Sequence, residues 1–293
     1  MDYQQFVALI KEKVASSIGN GMSLTIHTAL KNNGRERIGI TISDNQVNIC
    51  PTIYLEEYFS HYKGGMEIDE IVDNILRLYH EVKFQRDWQI HTVKEFSLIR
   101  SKIVHKLIHA GMNQELLKNL PHVMFMDLAI VFYILYEVTD NNLATIPITN
   151  ELVALWNTNT DELYRIALKN TPILLPATLK PMHQVIEELL GHSYEELSSE
   201  EDFMLVLSNQ YRSFGASCIL YNDILEQIAG QIGESYYIIP SSIHETIVIP
   251  ESESPCRQHL LEMVKEINET QVEIEDVLSD NVYFYDVDER SLC

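Results

Sequence analysis

The stretch "YYIIPSSIHETIVIP", residues 236–250, contains two apolar runs separated by a short polar segment. Short apolar runs bounded by turn residues are typical of β-strands that are buried in a sheet. Between the runs, Pro240 supplies the fixed φ angle of a turn, and the hydroxyls of Ser241 and Ser242 can bond the nearby backbone. The stretch therefore predicts two strands joined by a tight turn.

The same stretch also holds residue types that hydrolases use. His244 and Glu245 resemble the start of the zinc motif HExxH, but Val248 stands where that motif needs its second histidine. In a strand, His244 would share a face with Val248 and Glu245 would point to the opposite face, so the two would not form a direct pair. A nucleophile–base dyad of Ser242 and His244 needs a nucleophile elbow or a third orienting group, and the sequence has no GxSxG. Two interpretations stay open: a structural turn, or a hydrolase site with Asp127 or Glu245 as a helper.

The sequence of residues 1–88 predicts a small α+β part in which positive and negative charges balance. Asp2 and Gln5 have the spacing of a capping box in front of an apolar helical stripe. Alternating apolar residues on both sides of "KNNG", residues 31–34, predict a β-hairpin. Two helices follow, and Ile68 lies near the start of the second. This part is therefore expected to be a helix, an antiparallel meander and two helices.

Residues 89–293 predict a larger mixed α+β part. The run at 122–135 is too apolar for an edge strand, so we place it in the core, whereas 93–109 fits either a helix or a strand. Thr160 is expected to cap a helix, and "VYFY" at 282–285 is expected to be the last strand. The mixed order of helices and strands favours the α+β class over a doubly wound parallel sheet.

The charge of the chain is distributed unevenly. Residues 1–120 hold 14 Lys or Arg and 14 Asp or Glu, whereas residues 121–293 hold 7 and 29, which accounts for the whole formal charge of −22. A surface this acidic repels phosphate, so we expect the C-terminal part not to bind nucleic acid directly. The acidic residues serve either solubility or the binding of a basic partner.

The remaining composition indicates a reduced, cytoplasmic protein. The four cysteines are scattered without a CxxC pair, which argues against a structural zinc site and against disulfides. The N-terminal residues lack the basic lead and apolar stretch of a signal peptide. The longest nearly apolar run, 123–135, is too short to span a bilayer and contains Asp127, so no membrane association is expected.

Four further residues, His105, His109, Asp127 and Arg212, are weak candidates for a site. His105 and His109 are four residues apart and would share a face, but a metal site needs a third ligand, for which His122 is the only suggestion. Asp127 lies within an apolar run, so its carboxylate must be hydrogen-bonded, paired or protonated, whether its role is structural or catalytic. Arg212 lies in "SNQYRSFGAS", which lacks the glycine spacing of a phosphate-binding loop.

Several segments together resemble an uncharacterised family of clostridial and related anaerobic Firmicutes proteins, the domain of unknown function 5688. The segments that carry the resemblance cover nearly the whole chain in order: "NICPTIYLEEY", "LPHVMFMDLAIVFYIL", "LSNQYRSFGASCILYNDILEQIA", "YYIIPSSIHETIVIP" and "VLSDNVYFYD". The segment "LVALWNTNTDELYRIALKNT" is also similar to part of a second uncharacterised Firmicutes family. Neither resemblance implies an activity or assigns a catalytic residue.

These observations lead to three hypotheses about function. The favoured one is a non-catalytic interaction or regulatory module that needs no cofactor or metal and whose acidic surface binds a basic protein. The second is a hydrolase that uses Ser242 and His244, and the third is an acidic mimic that occupies the nucleic-acid site of another protein. No oligomeric state is predicted.

Overall fold

The computed structural model describes residues 1–19, 21–44, 52–84, 90–139, 142–191 and 203–293. Its helices are α1 (Tyr3–Ser17), α2 (Glu56–Lys63), α3 (Ile68–Phe84), α4 (Ile90–Lys94), α5 (Phe96–Ile99), α6 (Gln114–Leu117), α7 (Asn150–Leu155), α8 (Thr160–Leu174), α9 (Met182–Leu190), α10 (Ile224–Ile232) and α11 (Arg257–Thr270). Its strands are β1 (Met22–Leu30), β2 (Glu36–Asp44), β3 (Ile53–Tyr54), β4 (Ile103–His109), β5 (His122–Phe125), β6 (Leu128–Thr139), β7 (Asn142–Pro147), β8 (Ala177–Pro181), β9 (Leu205–Asn209), β10 (Tyr236–Ile239), β11 (Thr246–Pro250), β12 (Tyr283–Asp286) and β13 (Ser291–Leu292). The strands form three antiparallel sheets, and the predicted α+β class is confirmed.

The chain divides into two compact units. The first comprises Met1–Lys31 and Arg35–Leu98, and the second comprises Asn32–Gly34 and Ile99–Cys293. The predicted domain boundary between residues 88 and 89 lies outside the described residues and stays a prediction. Within the described residues, no helix is both long enough and apolar enough to cross a membrane.

The first unit is built around the sheet β1–β2–β3. The capping box of α1 is present, because the Asp2 carboxylate accepts from the Gln5 N–H at 2.8 Å while the Gln5 side chain accepts from the Asp2 N–H. Strands β1 and β2 pair antiparallel from Met22 opposite Asp44 to Leu30 opposite Glu36, as the alternation predicts. The core of the unit consists mainly of apolar residues from α1, β2 and α3.

A four-stranded sheet forms the centre of one half of the second unit. Strand β6 pairs with β4 along one edge and with β5 and then β7 along the other. The apolar run at 122–135 is thus a hairpin of β5 and β6, closed by Met126 and Asp127. Strand β6 lies in the core as expected, but the expectation that the run forms no edge strand is wrong for β5, which lies at an edge of the sheet and exposes Met124. The ambiguous segment 93–109 contains both predicted structures, since it runs from the end of α4 through α5 into β4.

Helix α8 covers the outer edge of β4. The Thr171 hydroxyl accepts from the His105 N–H at 3.1 Å, and the Asn170 amide donates to the Ile103 carbonyl at 3.1 Å. The N-cap of α8 is Asn159 rather than the predicted Thr160, because the Asn159 side chain accepts from the Glu162 N–H. The prediction missed by one residue because Asn and Thr are both good caps.

A six-stranded sheet in the order β13–β12–β10–β11–β9–β8 forms the other half of the second unit. Both of its faces are covered. Ile239 and Ile249 pack with Leu260 and Val264 of α11 on one face, whereas Tyr236 donates its hydroxyl proton to the Leu225 carbonyl of α10 on the other. The prediction that "VYFY" is the last strand is wrong, because the short strand β13 pairs with β12 after it.

Candidate functional site

The turn between β10 and β11 is held by its own serines. The Ser241 hydroxyl donates to the Glu245 carbonyl at 3.1 Å, and the Ser242 hydroxyl accepts from the His244 N–H at 3.0 Å. The Ser242 N–H donates to the Glu245 carbonyl as well, at 3.3 Å. Strand β11 begins only at Thr246, so the expectation that His244 lies on a strand face beside Val248 is wrong. The two hydroxyls thus form hydrogen bonds with backbone groups of the turn that have no partner in the β-sheet.

Both ring nitrogens of His244 are engaged within the protein. Nδ1 accepts from the Phe214 N–H at 3.3 Å, and Nε2 lies 3.2 Å from Oδ1 of Asp276. Because a nitrogen that accepts carries no proton, Nε2 is the atom that donates to Asp276. Neither nitrogen is left to take a proton from Ser242, whose oxygen bonds the histidine backbone instead.

The imidazole of His244 also ends a row of stacked rings. It stacks on Phe214 with ring centres 5.9 Å apart and an angle of 17° between the planes, and Phe214 stacks in turn on Tyr133 at 6.3 Å. The Lys106 ammonium lies 4.4 Å from the ring centres of both Tyr133 and Phe214, a cation–π geometry. The row fixes the ring plane of His244.

Gly215 allows the backbone to approach this site closely. A methyl group at this position would meet the Ser208 hydroxyl, the His244 carbonyl at 2.5 Å and the Asn209 nitrogen at 2.7 Å. The Ser208 hydroxyl donates to that same His244 carbonyl at 2.8 Å. Only glycine fits at this position, which explains in steric terms why glycine follows Phe214.

Asp127 is a structural acceptor at the tip of the β5–β6 hairpin. Its carboxylate accepts from the Ser279 hydroxyl at 2.5 Å and from the Tyr283 hydroxyl at 2.7 Å. Burial alone would raise the pKa of this carboxyl, but the hydrogen bonds, led by that of Ser279, hold its pKa below the usual value. The two side chains that donate to the Asp127 carboxylate do so through hydroxyl groups. No described hydrogen bond joins Asp127 to Ser242 or His244.

Arg212 belongs to a different cluster. Its guanidinium donates to Glu188 of α9 at 2.5 Å, and Lys180 pairs with the same carboxylate at 2.7 Å. These two cations lower the pKa of Glu188, with Lys180 the larger cause. The ion pairs tie α9 to β8 and to the segment after β9, and no hydrogen bond of the described residues brings Arg212 to His244.

The two candidate histidine ligands lie on β4 in different surroundings. His105 is buried, neither ring nitrogen has a hydrogen-bond partner in the described part of the chain, and desolvation lowers its pKa to about 3. His109 accepts through Nδ1 from the Met112 N–H at 3.1 Å, and Nδ1 of His122 bonds the Leu120 carbonyl at 2.9 Å. Among the described residues, no three His, Cys, Asp or Glu side chains are arranged to hold a metal ion.

A further candidate nucleophile is Cys218, which lies just after Gly215. Its thiol is buried and donates to the Ser208 carbonyl at 3.2 Å. Desolvation raises the pKa of this thiol to about 12. At neutral pH it therefore stays protonated and inert.

The segment after α11, residues 273–283, connects several of these features, and no sequence pattern predicted this role. Asp276 accepts from His244. The hydroxyls of Ser279 and Tyr283 donate to Asp127. The Asn33 amide donates to the carbonyls of Ile274 and Val277 at 2.7 Å each. Asn33 and Asn113 also bond each other reciprocally at 2.8 Å. The asparagine in a left-handed turn was predictable, but its distant partners were not.

The exposed face and end of α11 carry an excess of carboxylates. We define the acidic C-terminal surface as the exposed acids of residues 251–293: Glu251, Glu253, Glu262, Glu266, Glu269, Glu273, Asp280, Asp288 and Glu289. None of them forms an ion pair with another described residue. Arg257, Lys265 and Arg290 are the basic residues of the same segment.

Comparison with known proteins gives a family and no function. No curated protein and no solved structure matches the chain. One family model, described as a family of unknown function (DUF5688), matches residues 3–287. Since this match covers nearly the whole sequence, the chain belongs to the family of unknown function DUF5688.

Proposed function

We propose that this protein is a non-catalytic interaction or regulatory module whose acidic C-terminal surface binds a basic protein. The observation that carries the proposal is the set of exposed carboxylates before, on and after α11, none of which is neutralised by an ion pair in the described residues. Unpaired surface charge of one sign accelerates encounter with a partner of the opposite sign and excludes wrong partners. An acidic mimic of nucleic acid is the special case in which that partner is a nucleic-acid-binding protein.

The arrangement at His244 supports binding over hydrolysis. A general base needs a free nitrogen within reach of the nucleophile's proton. Nδ1 and Nε2 of His244 are instead used by Phe214 and Asp276. The alternative of a Ser242–His244 hydrolase therefore needs a rearrangement of this network, and no described contact favours one.

The proposal places the protein in the cytoplasm, where thiols stay reduced. Cys218, Cys256 and Cys293 are free, and two of them are exposed to solvent. Free exposed thiols are uncommon in proteins that fold in oxidising compartments.

The experiment compares two fourfold variants as baits in a cell lysate. The first neutralises part of the acidic surface by Glu262→Gln, Glu266→Gln, Glu269→Gln and Glu273→Gln, all exposed positions. The control removes four exposed acids of the first unit by Glu12→Gln, Glu67→Gln, Glu70→Gln and Asp73→Asn. Because Glu269 lies at the negative end of the α11 dipole, its neutralisation should not destabilise the helix.

We expect basic proteins to be captured at low salt by the wild type and the control but not by the first variant. Capture should weaken steeply above physiological ionic strength, where the Debye length falls below about 8 Å. A partner list that is unchanged by both the salt and the first variant would leave solubility as the role of the acidic surface and would contradict the proposal.

A further inference from the structure

Strand β5 leaves one edge of the four-stranded sheet open. It pairs with β6 from Phe125 opposite Leu128 to His122 opposite Val131. The Ala110 N–H donates to the Asp127 carbonyl at 3.0 Å, so Asp127 and Ala129 direct their backbone groups toward β4. Leu128 and Ile130 must then bond β5, through Phe125 and Val123.

It follows that the backbone groups of His122 and Met124 point away from the sheet. Neither residue has a backbone hydrogen bond outside the β5–β6 ladder to any described residue. The edge of β4 differs, since α8 caps its outward groups at Ile103 and His105. An exposed edge with free N–H and C=O groups is a template for another extended chain.

A depression of about 490 Å³ lies beside this edge. Ala110, Leu117 and Met124 supply its apolar lining, and Gln114, Lys118 and His122 supply polar groups. Met124 is 57% exposed, and Met112 and Met126 in the adjacent turns are 44% and 40% exposed. Flexible methionine side chains at a surface adapt to apolar partners of varied shape.

The acidic excess of the chain does not extend to the side chains that line the depression. Its lining contains Lys118 and no carboxylate, although the formal charge of the whole sequence is −22. Lys118 pairs with Glu115 at 2.6 Å, but the two side chains are 66% and 73% exposed. An exposed pair at this spacing contributes little, so Lys118 can exchange Glu115 for a carboxylate of a ligand.

We propose that the β5 edge and this depression bind an extended acidic peptide segment of a partner protein. The peptide backbone pairs with the free groups of His122 and Met124, and an alternate apolar side chain enters between Leu117 and Met124. A carboxylate of the peptide binds Lys118. This site goes beyond the proposed function, since it shares no residue with the acidic C-terminal surface and takes a partner of opposite charge.

The test uses a fluorescein-labelled octapeptide, Thr-Asp-Val-Glu-Val-Asp-Val-Thr, at physiological salt. Its matched control carries lysine at the three acidic positions. Fluorescence anisotropy is measured with the wild type, Lys118→Glu and Lys265→Glu, the last being an exposed lysine outside the depression. We expect the wild type to bind the acidic peptide but not the lysine control. Lys118→Glu should raise the dissociation constant of the acidic peptide about 10-fold, whereas Lys265→Glu should change it no more than about twofold.

Amide hydrogen exchange of the wild type then locates the peptide. Saturating acidic peptide should slow exchange at Met124 and His122 at least 10-fold, because their N–H groups gain partners. No binding at millimolar peptide, equal loss with both lysine variants, or binding without this protection would overturn the proposal. Protection of Met124 that depends on protein concentration without peptide would assign the edge to a second copy of the chain, and would overturn it too.

Discussion

His244 donates from Nε2 to Oδ1 of Asp276 at 3.2 Å, and this pair connects the turn before β11 to the segment that follows α11. The same imidazole accepts from the Phe214 N–H and stacks on the Phe214 ring. His244 thus joins three stretches that are far apart in the sequence. Its geometry is that of a structural crosslink.

Replacing His244 should therefore weaken the fold. His244→Ala removes the acceptor of the Phe214 N–H and the donor to Asp276, and we expect a loss of about 1–2 kcal/mol in the free energy of unfolding. Urea denaturation measures it. The exposed His259 on α11 provides the control, since His259→Ala should change stability by less than about 0.5 kcal/mol. Equal stabilities of the two variants would contradict a structural role.

Gly215 should be irreplaceable for steric reasons. Gly215→Ala places a methyl group against the Ser208 hydroxyl and the His244 carbonyl, and we expect a loss of about 2–3 kcal/mol. Gly230 in α10 has open space where its methyl group would lie, so Gly230→Ala should stabilise the protein by about 0.5–1 kcal/mol. Thermal unfolding distinguishes the two, and a neutral Gly215→Ala would refute the close approach.

The buried His105 should make the protein sensitive to mild acid. Its folded pKa of about 3 lies below the ordinary value of 6.5, so between these pH values the unfolded chain binds a proton that the native state excludes. Stability is therefore complete above pH 6.5 and falls as the pH drops toward 3. Between about pH 7.5 and pH 5.5 this residue should account for a loss of about 1.4 kcal/mol.

His105→Leu isolates this contribution. The leucine variant should lose about 1.4 kcal/mol less than the wild type when urea denaturation is repeated at the lower pH. The difference between the two proteins cancels the titration of the other histidines. An identical pH dependence of wild type and variant would show that folding does not lower the pKa of His105 and would contradict this prediction.

Asp127 should contribute stability that acid removes. The hydroxyls of Ser279 and Tyr283 both donate to its carboxylate, whereas the amide of Asp127→Asn can accept at only one oxygen. We expect the substitution to cost about 1–2 kcal/mol at neutral pH, since the carboxylate is only half-buried. Because the folded pKa is depressed, the cost should shrink as the pH falls through it, and denaturation in acid checks this. A cost that is independent of pH would contradict the hydrogen-bonded carboxylate.

Local patterns in the sequence predicted local structure well. The capping box of α1, the β1–β2 hairpin and the strands on both sides of Pro240 follow from residue spacing and turn chemistry, and the structure has all three. The serines of the turn bond the backbone as their residue type suggests. Such features depend on neighbours in the chain, which a sequence displays directly.

These local patterns did not predict contacts between residues that are far apart in the sequence. Asp127 was expected to need a partner, but nothing in "VMFMDLAIVF" points to Ser279 or Tyr283. His244 was placed on a strand face because the alternation of the following residues was extended one step too far back. Asn33 offered only a turn signal, although its side chain bonds residues more than two hundred positions away.

Covalent labelling of Ser242 tests most directly the central claim that this protein binds rather than catalyses. The purified chain is incubated with a fluorophosphonate probe beside Ser242→Ala and His244→Ala, and the modified residue is identified by mass spectrometry. Since no nitrogen of His244 is free to activate the hydroxyl, we predict that Ser242 stays unlabelled in the wild type. Labelling of Ser242 that is lost in both variants, with an unchanged unfolding temperature of His244→Ala, would contradict the claim and establish a serine hydrolase.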